Sequence, residues 1–178
     1  MRKSTHEEIA VRRIRKEDAA TVKRLPIFVL LDNVRSLYNV GSIFRTADGA
    51  LIEKLLLTGY TPRPPRKEIE KTALGATETV PWEHFEHSQD AIASARGLGA
   101  KICVLEQTTE SNPYYNIRKS DFPLCLVVGN EITGISPSIV EAADMAIDIP
   151  MYGMKQSLNV AVASGIALFE LARIFREK

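Results

Sequence analysis

Three short blocks of this chain combine residue types that can hold a ligand and act on it. The first runs from Asp32 to Ala47 and includes Asn33, Arg35, Asn39 and Arg45. It leaves an aliphatic run, crosses a polar loop and enters a helix. Asn39 is a good helix N-cap, which alone would explain it. Arg45 sits among Ile43, Phe44 and Ala47 in a helix that should pack on a sheet, and a guanidinium there points to a carboxylate or a phosphate. Arg35 suits a phosphate contact as well, although a plain surface arginine also explains it. The second block, Leu126 to Ile135, ends a strand in a turn that holds Gly129, Glu131 and Gly134. Glycines let the backbone pass close to a ligand. The turn is not GxGxxG, and the P-loop lysine and hydroxyl pair is missing, so neither a dinucleotide cradle nor an NTPase is indicated. In the third block, Ile149 to Ala163, a strand gives way to a loop with Ser157 and Asn159, either of them an ordinary cap. The helix that follows carries Ala161, Ala163, Ser164, Gly165 and Ala167, a flat face suited to another backbone or a second subunit.

Something must bring these blocks together, and the hydropathy pattern says what. Aliphatic runs at Ile27 to Leu31, Lys54 to Thr58, Lys101 to Leu105, Leu124 to Val128 and Met145 to Ile149 read as buried strands. Helices are predicted at Val40 to Leu51, Gln89 to Leu98, Ser136 to Ala142 and Leu158 to Phe175. Strand and helix in alternation give an α/β fold with a mostly parallel sheet flanked by helices. Ligands gather at the carboxyl ends of such strands, which directs attention to the loops after Leu31, Leu105, Val128 and Ile149. The segment Tyr60 to Lys71, with three prolines and the basic residues Arg63, Arg66, Lys67 and Lys71, is expected as an exposed loop over a functional face. Ser4 and Thr5 each precede a glutamate by three residues, the capping-box spacing, so a helix holding Ile9, Ile14 and Val22 is expected ahead of the main domain.

Composition narrows the partners. The 178 residues are 45% hydrophobic and carry 23 Lys and Arg against 22 Asp and Glu, a net charge of +1 that excludes a wholesale polycation. Residues 1 to 25 are locally +4 and the remainder −3, so contact with a polyanion must come from patches. No apolar run approaches the roughly 20 residues of a membrane-spanning helix. The start of the chain lacks a secretory signal pattern, which makes the cytoplasm the expected location. Cys103 and Cys125 lie in aliphatic segments and are expected as buried free thiols. His84 and His87 have H-x-x-H spacing without a third ligand nearby, so no metal is expected. Trp82, Tyr114 and Tyr115 suit base stacking, with partial burial the commoner alternative.

Taken together, the three blocks resemble the SpoU, or TrmH-type, RNA 2′-O-methyltransferases of the SPOUT superfamily. The resemblance spans about residues 25 to 175 and covers three family motifs in order: Asn39 and Arg45, then Gly129, Glu131 and Gly134, then Ile149, Pro150, Ser157, Leu158 and Asn159. It implies S-adenosylmethionine as methyl donor, a C-terminal trefoil knot and a homodimer whose active site draws on both subunits. By resemblance the donor pocket is formed by Leu105, Gln107, Gly129, Gly134, Ile149, Met151, Ser157 and Leu158. The catalytic set is Arg45, Asn39, Glu131, Ser157 and Asn159, with Arg45 acting on the ribose 2′-hydroxyl. Arg35, Arg63, Arg66, Lys67, Arg12 and Arg13 are the expected RNA contacts. Residues 1 to 25 are read as a basic helical extension and residues 26 to 178 as the methyltransferase domain. A compact tRNA element is the expected acceptor, ahead of rRNA. A catalytically silent RNA-binding protein and a small-molecule methyltransferase are the alternatives. The intact Asn39, Arg45 and Glu131 set argues against the first, and the basic segments against the second.

Overall fold

The computed structural model describes residues 1–11, 13–19 and 21–177. Its centre is a seven-stranded sheet: β1 (Leu25–Asp32), β2 (Ile52–Thr58), β3 (Trp82–Phe85), β4 (Lys101–Leu105), β5 (Asn112–Pro113), β6 (Leu124–Val128) and β7 (Met145–Asp148). The strands lie in the order β3-β2-β1-β6-β4-β7-β5, and every neighbouring pair is parallel. The central strands are buried on both faces, which is why they read as unbroken aliphatic runs. In β1, Ile27, Val29 and Leu31 enter one core layer and Phe28 and Leu30 the other.

Helices cover both faces. The layer on the Ile27 side is closed by α2 (Leu37–Ala50), α3 (Lys67–Ala73) and α6 (Val160–Arg176), through Val40, Ile43 and Phe44, then Ile69, then Leu168 and Leu171. The opposite layer is closed by α4 (Ser88–Gly97) and α5 (Pro137–Ala142), through Ala91, Ile92, Ala95 and Ile139. Five predicted strands and four predicted helices are present, with ends shifted by a few residues.

Several expectations need correction. The segment from Tyr60 is not loop throughout, because Lys67–Ala73 forms α3 and buries Ile69 and Ala73. A seven-residue helix with the composition KEIEKTA gives almost no periodic signal. It sits so close to α2 that a Cβ on Gly41 would lie 2.1 Å from Thr72 Oγ1 and 2.3 Å from the Ile69 carbonyl oxygen. Strands β3 and β5 went unpredicted because one is mixed in polarity and the other has two residues. The N-terminal helix is also shorter than expected. Thr5 caps α1 (His6–Ala10) in a capping box with Glu8, but the helix buries no residue, and Ile9 and Ile14 stay exposed. A single 3-10 turn follows at Lys16–Asp18. Among the described residues no helix is long and apolar enough to cross a membrane.

Candidate functional site

The carboxyl ends of β1, β4, β6 and β7 converge, and a cleft of about 460 Å³ opens among the loops that follow β4, β6 and β7. That volume falls in the roughly 300–1,000 Å³ range of small-molecule sites. Its lining includes all eight residues expected to hold the donor: Leu105, Gln107, Gly129, Gly134, Ile149, Met151, Ser157 and Leu158. Side chains of Leu105, Ile149, Leu158 and Val160 supply apolar wall.

The turn after β6 is shaped by backbone crowding. Asn130 and Gly134 exchange backbone hydrogen bonds of 3.0 Å, which brings the turn back over Gly129. A Cβ at Gly129 would lie 2.3 Å from the Gly134 carbonyl carbon and 2.4 Å from Ile135 N, so only glycine fits. Glu106, the first residue after β4, braces the same turn, accepting from Ile135 N at 3.1 Å and from Gln107 N at 3.0 Å. Across the mouth of the cleft, Gln107 Nε2 donates to the Gln156 carbonyl at 2.5 Å, joining the loops after β4 and β7.

One chain of hydrogen bonds ties the three motif blocks together. Glu131 accepts from Arg35 N at 2.9 Å, Ser36 N at 3.0 Å and Asn39 Nδ2 at 2.7 Å. Asn39 Oδ1 accepts from Asn159 Nδ2 at 3.1 Å, and Asn159 Oδ1 caps α6 by accepting from Ala161 N and Val162 N. Partial burial pushes the Glu131 carboxyl up, but the Arg35 N–H, the Asn39 amide, its own N–H and the Ser36 N–H outweigh that. The net result lies below the ordinary carboxylate value. Glu131 is thus an ionised clamp with its oxygens already engaged. Asn39 is not the N-cap of α2. Ser36 is, accepting from Asn39 N at 3.3 Å, which frees the Asn39 amide to face the other motifs.

Two residues that sequence reasoning gave no role complete the framework. Asp32 is buried at the end of β1, where Oδ2 accepts from Ser136 N and Oγ at 2.8 and 2.7 Å, and Oδ1 from Ser88 Oγ at 2.8 Å. Asn130 donates to the Asn33 carbonyl at 2.9 Å and to Tyr60 Oη at 2.8 Å, and its Oδ1 accepts from Ile132 N and Thr133 N. A carboxylate closing an aliphatic strand was the available signal for Asp32, since a charge at a buried position must be hydrogen-bonded.

Arg45 stands apart. It is exposed on α2, does not line the cleft, and has no side-chain partner among the described residues. Six residues beyond Asn39, it lies about 9 Å along the helix and about 120° around it. Arg45 points off the face of α2 that buries Ile43, Phe44 and Ala47, so of the two partners expected for it, no carboxylate among the described residues pairs with it. Ser157 is exposed at the cleft.

The expected RNA contacts are spread over the surface. Arg35 places its backbone on Glu131 and leaves its side chain exposed, while Arg66 and Lys67 are exposed at the start of α3. Arg63 donates to His84 Nδ1 at 3.0 Å, and His84 Nε2 lies 2.9 Å from the Gly59 carbonyl, so both ring nitrogens are engaged. Arg13 is exposed next to α1, and Arg12 lies outside the described residues. Trp82 packs edge-on against Phe44, their ring centres 6.4 Å apart, as part of the core. Tyr114 packs on Tyr115, whose ring is exposed. Cys103 and Cys125 are free and buried, and burial pushes the Cys125 thiol up to about 12.

The fold and the cleft define a parallel α/β protein with a cleft of small-molecule size at the carboxyl end of its sheet. Residues 26–169 match the SpoU rRNA Methylase family. The tRNA (guanosine(18)-2′-O)-methyltransferase of Aquifex aeolicus is 39% identical over 155 residues, covering 85% of this chain and 71% of the relative. The crystal structure of the A. aeolicus TrmH/SpoU tRNA modifying enzyme superposes with a TM-score of 0.78 at 33% identity, over 89% of this chain and 79% of that one. An AdoMet-bound rRNA methyltransferase from Sinorhizobium meliloti superposes with a TM-score of 0.79 at 31% identity, over 88% of this chain and 59% of that one. The chain belongs to the SpoU family.

Proposed function

We propose that this chain transfers a methyl group from S-adenosylmethionine to a ribose 2′-hydroxyl of RNA, with tRNA as acceptor ahead of rRNA. The observation that carries the reading is the Glu131, Asn39, Asn159 chain of bonds, which ties the first motif block to the two blocks that line the cleft. The relative of 39% identity bears the name of a tRNA ribose methyltransferase, and an AdoMet-bound structural neighbour shares the fold. The residues fit the donor. The cleft has apolar walls for an adenosyl group, and the tight Gly129 turn leaves backbone groups accessible for an adenine edge.

When bound, S-adenosylmethionine supplies an electrophilic methyl carbon on a cationic sulfur. The chain's own tasks are to hold that donor dry, to place the acceptor oxygen about 3 Å from the carbon, and to manage the departing proton. Gly129, Ile149 and Leu158 do the first. Arg45 does the last as a cation: a guanidinium stays protonated at neutral pH, so it stabilises oxyanion character on the ribose and positions a phosphate, while a phosphate oxygen or water takes the proton.

Arg45 does not reach the cleft of its own chain, which supports a homodimer in which it serves the partner's site. The helix that carries it packs against α6, where Val162, Ile166 and Phe169 form an exposed apolar stripe at helical spacing. The trefoil crossing of the C-terminal segment, the boundary at residue 25 and residence in the cytoplasm belong to the same proposal.

Tritiated methyl transfer into bulk tRNA and rRNA tests it. Label should enter RNA and survive alkali in a single dinucleotide. Donor binding without any label in RNA would overturn the assignment.

A further inference from the structure

Tyr60 is an exposed aromatic whose position is fixed at its hydroxyl end. It lies two residues beyond β2, in the turn that leads to Arg63, Arg66 and Lys67, and it is 60% exposed. Exposed tyrosines are common, but this one is held. Its hydroxyl accepts from Asn130 Nδ2 at 2.8 Å and its N–H donates to Asn33 Oδ1 at 3.3 Å. The next residue is anchored too: the buried Thr61 hydroxyl donates to the Leu31 carbonyl and accepts from Val34 N, both at 3.1 Å. The ring therefore presents solvent-facing area from a preordered site. Asn130 lines the cleft and orders the turn over Ile132 and Thr133, so the phenol is one hydrogen bond away from the wall of the donor site.

We infer that Tyr60 is a stacking platform for a nucleobase of the acceptor RNA, and that its bond to Asn130 sets that base in register with the cleft. The inference rests on the RNA methyltransferase reading. Every base offers a π face, and a ring already ordered gives up little conformational freedom on stacking. The basic residues three to seven positions further on can hold the flanking phosphates. A stack combined with phosphate contacts suits an unpaired, splayed nucleotide, the element of RNA whose bases are open to protein.

Two variants of the full chain separate the ring from the hydroxyl. Tyr60→Phe and Tyr60→Leu both lose the bond to Asn130, but only Tyr60→Leu loses the π face. With tritiated S-adenosylmethionine and bulk tRNA, Tyr60→Leu should raise the RNA KM by roughly 5- to 150-fold over Tyr60→Phe. Donor affinity by calorimetry and melting temperature should be the same in both. Equal RNA KM in the two variants would overturn the inference, and so would a change of sedimentation confined to Tyr60→Leu, which would assign the ring to a protein contact. Failure of the unmodified chain to methylate RNA would sink the functional reading instead, and is recognised in the same assay.

Discussion

On the donor side of the site, Asp32, Glu106, Asn130, Glu131 and Asn159 spend their polar atoms on the backbone of neighbouring loops. On the acceptor side, the side chains of Arg35, Arg45, Arg66 and Lys67 are exposed and lack partners among the described residues. On the proposed function, the contrast follows from what each side would receive. A small donor is bound by preformed shape, so its cleft must be rigid in the free protein. A polyanion brings its own counter-charges, so the groups that meet it can wait in solvent. Substitutions on the donor side should therefore lower stability and donor affinity together, and those on the acceptor side should spare both.

The sharpest separation is expected at Arg45. Lysine keeps the charge but not the planar fork. Arg45→Lys should lower kcat by roughly 10²- to 10³-fold, with melting temperature and donor affinity unchanged. A fall in either would move Arg45 to the donor side of the comparison.

Gly129→Ala makes the opposite case. The new Cβ meets backbone at 2.3 to 2.5 Å, so the turn itself must shift. Stability should drop by about 1–3 kcal/mol in denaturant unfolding, and donor binding should weaken with it in calorimetry. Intact donor affinity would mean that the turn does not bound the donor.

The same contrast governs what the sequence revealed. The place of the cleft was legible because parallel strands announce themselves as aliphatic runs and their carboxyl ends are where ligands collect, while the eight residues that line it were named by resemblance. By local pattern Asn39 and Asn159 read as capping residues, and only the family resemblance gave them a further role. That Ser36 takes the cap of α2 and releases Asn39 to Glu131 depends on a contact between residues 92 positions apart, which no local pattern encodes. Asp32 and Asn130 were missed for the same reason, since their partners lie up to 104 positions away. On the acceptor side, Arg45 was legible as a residue type, but the direction it faces depends on how α2 meets α6.

The N-terminal segment gives a smaller effect. Arg2 and Glu8 pair with each other, α1 buries nothing, and Arg13 and Arg15 are exposed. Removing residues 1–15 should weaken RNA binding by a few fold and flatten its salt dependence, leaving melting temperature and donor affinity unchanged. A loss of stability would show that the segment packs on the body instead of serving RNA.

The smallest effect concerns the charge of Glu131. Its pKa is lowered on folding, so the stability it adds is present above its ordinary value of 4.5 and is lost as pH falls through the lower folded value. Glu131→Gln removes that titration but keeps one acceptor oxygen. The melting temperatures of the unmodified chain and Glu131→Gln should differ at pH 6 and draw together below about pH 4.5. A gap that stays constant into acid would mean that shape, not charge, holds the loops of Arg35 and Asn39. The geometry of the carboxyl, which an amide does not reproduce, would then order the donor side in place of its ionisation.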